Sequence, residues 1–158
     1  MYQRFPIPVS ITIAGSDSSG GAGIEADLKT FAALNTYGTC AITAVTIQDT
    51  QGVYGVHPIP GIDIQRQIEV VLGDAAVKSA KTGMLYTREA VEAVVRTLDK
   101  HRVPLVVDPI FRAGSGDLLI KKDAKTVLIK KLIPEALVVT PNIFEAEEIS
   151  GIKIKNID

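Results

Sequence analysis

The densest stretch of residues able to do chemistry is Ala14-Gly15-Ser16-Asp17-Ser18-Ser19-Gly20-Gly21-Ala22-Gly23. An apolar, β-branched run over 9–13 leads into it and a helical pattern over 24–34 leads out, so the stretch reads as strand, glycine-rich turn, helix. Its glycines let the backbone take positive φ and let a ligand come close. The following helix turns unpaired N–H groups and the positive end of its dipole toward the turn, which suits an anionic or strongly polar small molecule. The plainer reading is a tight turn whose glycines serve packing alone. The spacing matches neither G-x-x-x-x-G-K-[ST] nor G-x-G-x-x-G, which argues against a Walker A loop and against a dinucleotide-dependent oxidoreductase.

Other candidates lie further along. The Gln48 amide donates and accepts side by side, which matches the ring nitrogen and exocyclic amine of an aminopyrimidine, although a loop glutamine can simply face solvent. The Met84 thioether suits an aromatic face and equally suits a core. Asp27 stands near a helix start, where an acid also offsets the dipole. Asp108 and Glu145 are hard carboxylates of the kind that meet magnesium together with waters and nucleotide phosphates.

These residues need a frame, and the chain supplies a repeating one. After the first strand and helix, residues 40–47 (C-A-I-T-A-V-T-I) predict a buried strand, followed by a polar loop over 48–52. The pattern predicts helices over 63–72, from Thr87 as N-cap to about 101, over 123–132 and over 143–150, with Gly38 as C-cap of the first helix and Gly151 as the final stop. Strands are expected over 76–82, 104–107 and 136–139. Strand and helix thus alternate five times over, predicting an α/β fold: a doubly wound, mostly parallel sheet with helices on both faces. In such sheets ligands bind beyond the carboxyl ends of the strands. Gly15 to Asp17, Gln48, Gly83-Met84, Asp108 and Asn142 with Glu145 all fall at those expected ends. Asn and Asp also favour turns and caps, which is the alternative for any one of them.

Composition narrows the function classes. The chain has 158 residues, 46% hydrophobic and 22% charged, with a formal net charge of −1, so no nucleic-acid or anionic-membrane footprint is expected. Cys40 is the single cysteine, which excludes an intrachain disulfide and a cysteine metal cluster. The first residues, Met1 to Pro6, hold no apolar run that could serve as a signal peptide, and no segment reaches the ~18 apolar residues of a membrane span. The expected place is the cytoplasm.

Residues 14–29, A-G-S-D-S-S-G-G-A-G-I-E-A-D-L-K, closely resemble the start of the hydroxymethylpyrimidine and phosphomethylpyrimidine kinases of thiamine biosynthesis, members of the ribokinase-like group. The segment T-A-V-T-I-Q-D-T-x-G-V, the K-x-G-M-L pattern at Lys81 to Leu85, V-V-D-P at Val106 to Pro109 and T-P-N-I-F-E-A at Thr140 to Ala146 resemble the same family. The resemblance implies ATP-dependent phosphorylation of 4-amino-5-hydroxymethyl-2-methylpyrimidine and of its monophosphate, with ATP and Mg2+. It implies that Gly15, Ala22, Asp27, Gln48, Met84 and Ile110 line the pyrimidine site, that Asn142 contacts the ATP phosphates, and that Asp108 and Glu145 serve the metal. Thr46 departs from the pattern, since an aliphatic residue is expected there.

The resemblance covers essentially the whole chain but only the N-terminal part of a family member. The family's second glycine-rich motif, with its anion hole, its hydroxyl-activating residue and most adenine contacts, has no counterpart up to Asp158. The catalytic residue is therefore expected beyond Asp158, and 1–158 is expected to form one ribokinase-like domain cut short at its C-terminus, a poor kinase by itself. A homodimer is left open. Two other functions remain: a pyridoxal kinase-like activity on a similar heteroaromatic alcohol, and a non-catalytic pyrimidine-binding module.

Overall fold

The computed structural model describes residues 7–156, so the reading of residues 1–6 and the last two positions of the tail lie outside it. β1 (Val9–Ala14) is buried along its whole length. Alternation along it sends Ile11 and Ile13 into the main core and turns Ser10 and Thr12 to the opposite face. β1 pairs in parallel with β2 (Tyr37–Ile42) on one side and with β5 (Val77–Thr82) on the other. β6 (Leu105–Val107) and β7 (Val138–Val139) extend the sheet, giving the order β2-β1-β5-β6-β7 with every pair parallel.

The chain leaves β1 toward one edge and returns past it toward the other, so the strand order reverses between β1 and β5. The right-handed crossover rule then puts α1 (Gly23–Ala33) on one face, and α2 (Gly61–Asp74), α3 (Arg88–His101) and α4 (Lys122–Val127) on the other. The packing agrees: α2 lies against α3 and α3 against α4, whereas α1 packs on β1 and β2. This is the doubly wound arrangement the alternation predicts.

Ile64 and Ile68 of α2, Val91 and Val94 of α3, and Leu128 and Leu132 after α4 are fully buried against the sheet. Each such side chain contributes about 1.5–3 kcal/mol over its exposed state. Beyond Val127 the helix widens to one π turn, Leu128–Leu132, and closes with a 3-10 turn, Ile133–Glu135, carrying Pro134. The last helix, α5 (Ile143–Ser150), opens on Asn142 and stops at Gly151 as expected. Thr87 caps α3, accepting from the Ala90 N–H at 3.2 Å.

Three expectations need correction. The strand expected over 40–47 is two: β2 ends at Ile42, and β3 (Ala44–Gln48) leaves the sheet to form an antiparallel hairpin with β4 (Val53–Pro58), a strand the sequence reading lacks. Thr43 makes the corner, its N–H donating to Ala14 O at 2.9 Å and its hydroxyl to Met84 O at 2.7 Å. Those partners are distant in sequence, so nothing in the apolar run marks the break. Gly38 is not a cap but lies within β2, where a Cβ would come 2.8 Å from Leu28 of α1, and the left-handed position after α1 falls to Asn35 at φ 54°. The last strand has two residues, not four.

Candidate active site

The carboxyl ends of β1 and β5 flank the point where the strand order reverses, the usual ligand crevice of such sheets. Gly15 and Met84 meet there. A Cβ on Gly15 would touch Met84 Sδ and Cε at 3.4 Å and Ala44 O at 3.5 Å. Met84, Ala44 and Leu119 form a small apolar cluster apart from the main core, and Ile110, Val53, Val56 and Tyr86 pack on it. Of the residues expected around a pyrimidine, Gly15, Met84 and Ile110 thus share one corner.

The glycine loop is stitched shut from inside. Gly23 has φ +59°, and a Cβ on it would lie 2.5 Å from Gly15 O. Only glycine fits so close a return. The Asp17 carboxylate accepts from the N–H groups of Ser19 (2.9 Å), Gly21 (3.0 Å) and Ala22 (2.8 Å) and from the Ser19 hydroxyl. Burial alone would raise its pKa, but these hydrogen bonds outweigh that and hold it below the usual carboxylate range. The corner expected to receive an external anion is therefore filled by the chain's own, because a carboxylate from inside the loop reaches the N–H groups without losing translational freedom. The Ala22 N–H, part of the loop expected to line the pocket, is thus already engaged by Asp17.

Gln48 also stands elsewhere than expected. It ends β3 on the hairpin rather than a strand of the central sheet. Its Oε1 lies 3.3 Å from the Thr46 hydroxyl. The departure at Thr46 finds its reason here: its hydroxyl donates to Ser16 O at 2.8 Å, its N–H to Ser16 Oγ at 3.2 Å, and its carbonyl accepts from Ser18 Oγ at 2.8 Å. Three bonds bind the hairpin to the glycine loop, and the hydroxyl bond to Ser16 O is the one an aliphatic residue could not make. The hairpin tip is held as well, the Val53 N–H donating to Asp117 Oδ2 at 3.3 Å. The Ser115 hydroxyl, donating to Asp117 at 2.7 Å, and then the Val53 N–H lower the Asp117 pKa.

Asp27, expected beside the substrate, has both oxygens engaged within the chain. Lys81 Nζ lies 3.1 and 3.0 Å from them, and the Thr12 hydroxyl donates to Oδ2 at 2.5 Å. Lys81 Nζ is also 3.7 Å from Asp108 Oδ2, and Thr140 Oγ1 donates to Asp108 Oδ1 at 3.3 Å. Asp108 is the more open of the two acids. Glu145 is buried; its Oε2 accepts from the Asn142 N–H at 2.9 Å and its Oε1 from the Phe111 N–H at 3.3 Å, while Asn142 Oδ1 accepts from the Glu145 N–H at 3.0 Å. Glu145 and Asn142 form a reciprocal capping box at the start of α5.

A cleft of ≈ 550 Å³ opens beside this box, lined by Phe111, Arg112, Asn142, Phe144 and Glu148. A slightly larger one, ≈ 560 Å³, lies at the amino ends of β6 and β7 between Leu98, Arg102 and Leu137, across the sheet from every residue above. Among the described residues no three His, Cys, Asp or Glu side chains group to hold a metal ion unaided, and no helix is long and apolar enough to cross a membrane.

Residues 17–158 match the family model described as phosphomethylpyrimidine kinase. The chain belongs to the phosphomethylpyrimidine kinase family. It is 52% identical over 145 residues to the hydroxymethylpyrimidine/phosphomethylpyrimidine kinase of Haemophilus influenzae, covering 91% of this chain and 54% of that protein. The crystal structure of phosphomethylpyrimidine kinase from Clostridium difficile 630 superposes with a TM-score of 0.89 at 51% identity, over 95% of this chain and 65% of that one. A pyridoxal kinase from Staphylococcus aureus, solved with AMP-PCP and pyridoxal, superposes with a TM-score of 0.82 at 38% identity, over 97% of this chain and 55% of that one. The chain thus spans about half the length of the curated relatives it matches.

The sequence reading of this family member gave no individual role to Asp17 or Lys81 and met Thr46 only as a departure from the family pattern. Lys81 left a signal: two residues on from Ser79 in a central parallel strand, it shares a face with that serine and, by the β1 register, with Thr12, where a lysine needs a counter-ion. Asp17 bonds N–H groups two to five residues on, a local loop cap that an acid opening a glycine-rich turn could have suggested, whereas the partners of Thr46 depend on how the hairpin folds back.

Proposed function

We propose that the chain forms the pyrimidine-binding part of an ATP-dependent kinase for 4-amino-5-hydroxymethyl-2-methylpyrimidine and its monophosphate. The observation that carries the reading is the corner where Gly15, Met84 and Ile110 converge at the reversal of strand order, in a chain of the phosphomethylpyrimidine kinase family. The pyrimidine rests on the Met84 thioether and the Gly15 backbone, and the Gln48 amide, carried on the hairpin, reads the ring nitrogen and amine. Ala22 closes the loop side of the pocket.

ATP belongs on the β6–β7 side, beside Asn142 and Asp108. The fit of Mg2+ is uneven. Asp108 suits it, a partly open hard carboxylate that leaves room for waters and phosphate oxygens. Glu145 has both oxygens on backbone N–H groups, so it shapes the loop that carries Asn142 and Phe111 rather than offering a free ligand. When bound, Mg2+ supplies charge neutralisation of the phosphates. The chain's own contribution is to fix the pyrimidine and keep Asp108 oriented through Thr140 and Lys81. The domain is a single unit, and the protein acts in the cytoplasm.

Isothermal calorimetry with hydroxymethylpyrimidine tests the proposal, with pyridoxal as competitor. Saturable pyrimidine binding that pyridoxal displaces poorly is expected. Preferential pyridoxal binding would move the assignment to that vitamin, a reading the likeness to the Staphylococcus aureus enzyme favours. Binding of neither would overturn the proposal.

A further inference from the structure

We propose that Asp27 and Lys81 form a positioning pair that sets the divalent-cation affinity of Asp108. The inference rests on the reading of Asp108 as the carboxylate that faces magnesium and nucleotide phosphates. Pairing of Thr12 with Lys81 across β1 and β5 turns both side chains to the face under α1, where Asp27 comes down from the helix. The three charged side chains are largely shielded, with 22% of Lys81, 19% of Asp27 and 31% of Asp108 exposed.

The distances decide where the ammonium belongs. Lys81 Nζ hydrogen-bonds both oxygens of Asp27, at 3.1 and 3.0 Å, and stays 3.7 Å from Asp108 Oδ2, an ion pair without a hydrogen bond. Asp27 is itself anchored by the Thr12 hydroxyl. Asp27 therefore draws the lysine toward β1 and keeps it from closing on Asp108. The corner carries two negative charges and one positive. Asp108 is steadied by the nearby cation yet keeps an oxygen available. Without Asp27 the ammonium would move onto Asp108 and compete with any metal. Without Lys81 two uncompensated carboxylates would share the corner and draw a divalent cation, since affinity for hard cations rises with carboxylate charge.

The two single substitutions thus act with opposite signs, which loss of structure alone would not do. Mn2+ is the probe, with free metal read by electron paramagnetic resonance and no turnover required. At low salt, Lys81→Met should bind Mn2+ about tenfold more tightly than the wild type, and Asp27→Asn several-fold more weakly. The double substitution has the wild-type charge sum and should return to within about twofold. Adding Asp108→Asn to Lys81→Met should erase the gain. Shifts of the same sign in the two single variants, no shift in Lys81→Met, or a gain that survives Asp108→Asn would each overturn the proposal. Should Lys81→Met fail the circular-dichroism check for folding, Lys81→Gln carries the same charge change. Hydroxymethylpyrimidine binding on the same samples separates the two inferences: a wild type that ignores the pyrimidine overturns the functional reading, whereas the Mn2+ shifts alone decide the role of the pair.

Discussion

The Asp17 carboxylate accepts the Ala22 N–H at 2.8 Å and so holds, from within the glycine loop, the backbone donors at the start of α1. α1 has no side-chain cap at Ala22 itself, and Asp17 supplies one from five residues upstream. The Asp17 N–H in turn donates to Glu25 Oε2 at 2.8 Å, so loop and helix brace one another. The loop is built before any ligand arrives.

Asp17→Ala should cost about 1–2 kcal/mol in urea unfolding, the range for losing a helix cap, because three backbone N–H groups lose their acceptor. Acid tests the same bond. The folded pKa of Asp17 is lowered, so its contribution is complete above the unfolded value of about 3.9 and fades as pH falls through the folded value. Below about pH 4 the wild type should therefore lose melting temperature faster than Asp17→Asn. Parallel acid profiles would remove Asp17 from the account.

Gln48→Ala should weaken hydroxymethylpyrimidine binding by about 1–3 kcal/mol, since ring atoms that met the amide would be left unpaired. Gln48 is only half-buried at the end of β3, so the fold should tolerate the change. Calorimetry checks the affinity and a thermal melt the fold. An unchanged affinity would take the hairpin amide out of the site.

How far the sequence could be read divides along range of contact. Elements fixed by their own periodicity and caps were legible: α3 behind Thr87, α5 between Asn142 and Gly151, and the alternation that yields a parallel sheet. The break at Thr43 was not, because it depends on Ala14 and Met84 across the sheet. The same holds at the site. Gly15 and Met84 could be grouped from strand ends and Ile110 from the family resemblance, whereas the occupation of Asp27 by Lys81 depends on side chains of α1 and β5 that meet only after folding.

Thr82 is fully buried at the end of β5, and its hydroxyl has no hydrogen-bond partner. A buried unpaired hydroxyl loses hydration without return. Thr82→Val keeps the shape and removes the oxygen, so it should stabilise the protein by about 1 kcal/mol. Calorimetric melts of the two proteins decide it; a lower midpoint for the valine variant would mean the hydroxyl is satisfied in solution.

Among the described residues β7 pairs only with β6, which leaves one side of a short apolar strand open. Leu137 is 74% exposed and Val138 47%, and Ile143 and Phe144 at the start of α5 add further apolar surface. An open edge bearing apolar side chains is a template for pairing with another chain, and a charge on it is the usual remedy. Residues 1–158 by themselves should therefore associate as their concentration rises, and Leu137→Lys should suppress that association. The substitution should leave the fold intact, because the Leu137 side chain is largely in solvent and its N–H donates to Leu105 O at 2.8 Å through the backbone alone. Multi-angle light scattering over a concentration series is the measurement. A mass that rises in the wild type and stays monomeric in the variant is expected. A monomeric wild type throughout would show that the β7 edge is protected in solution, and equal association of both would place the contact elsewhere on the surface.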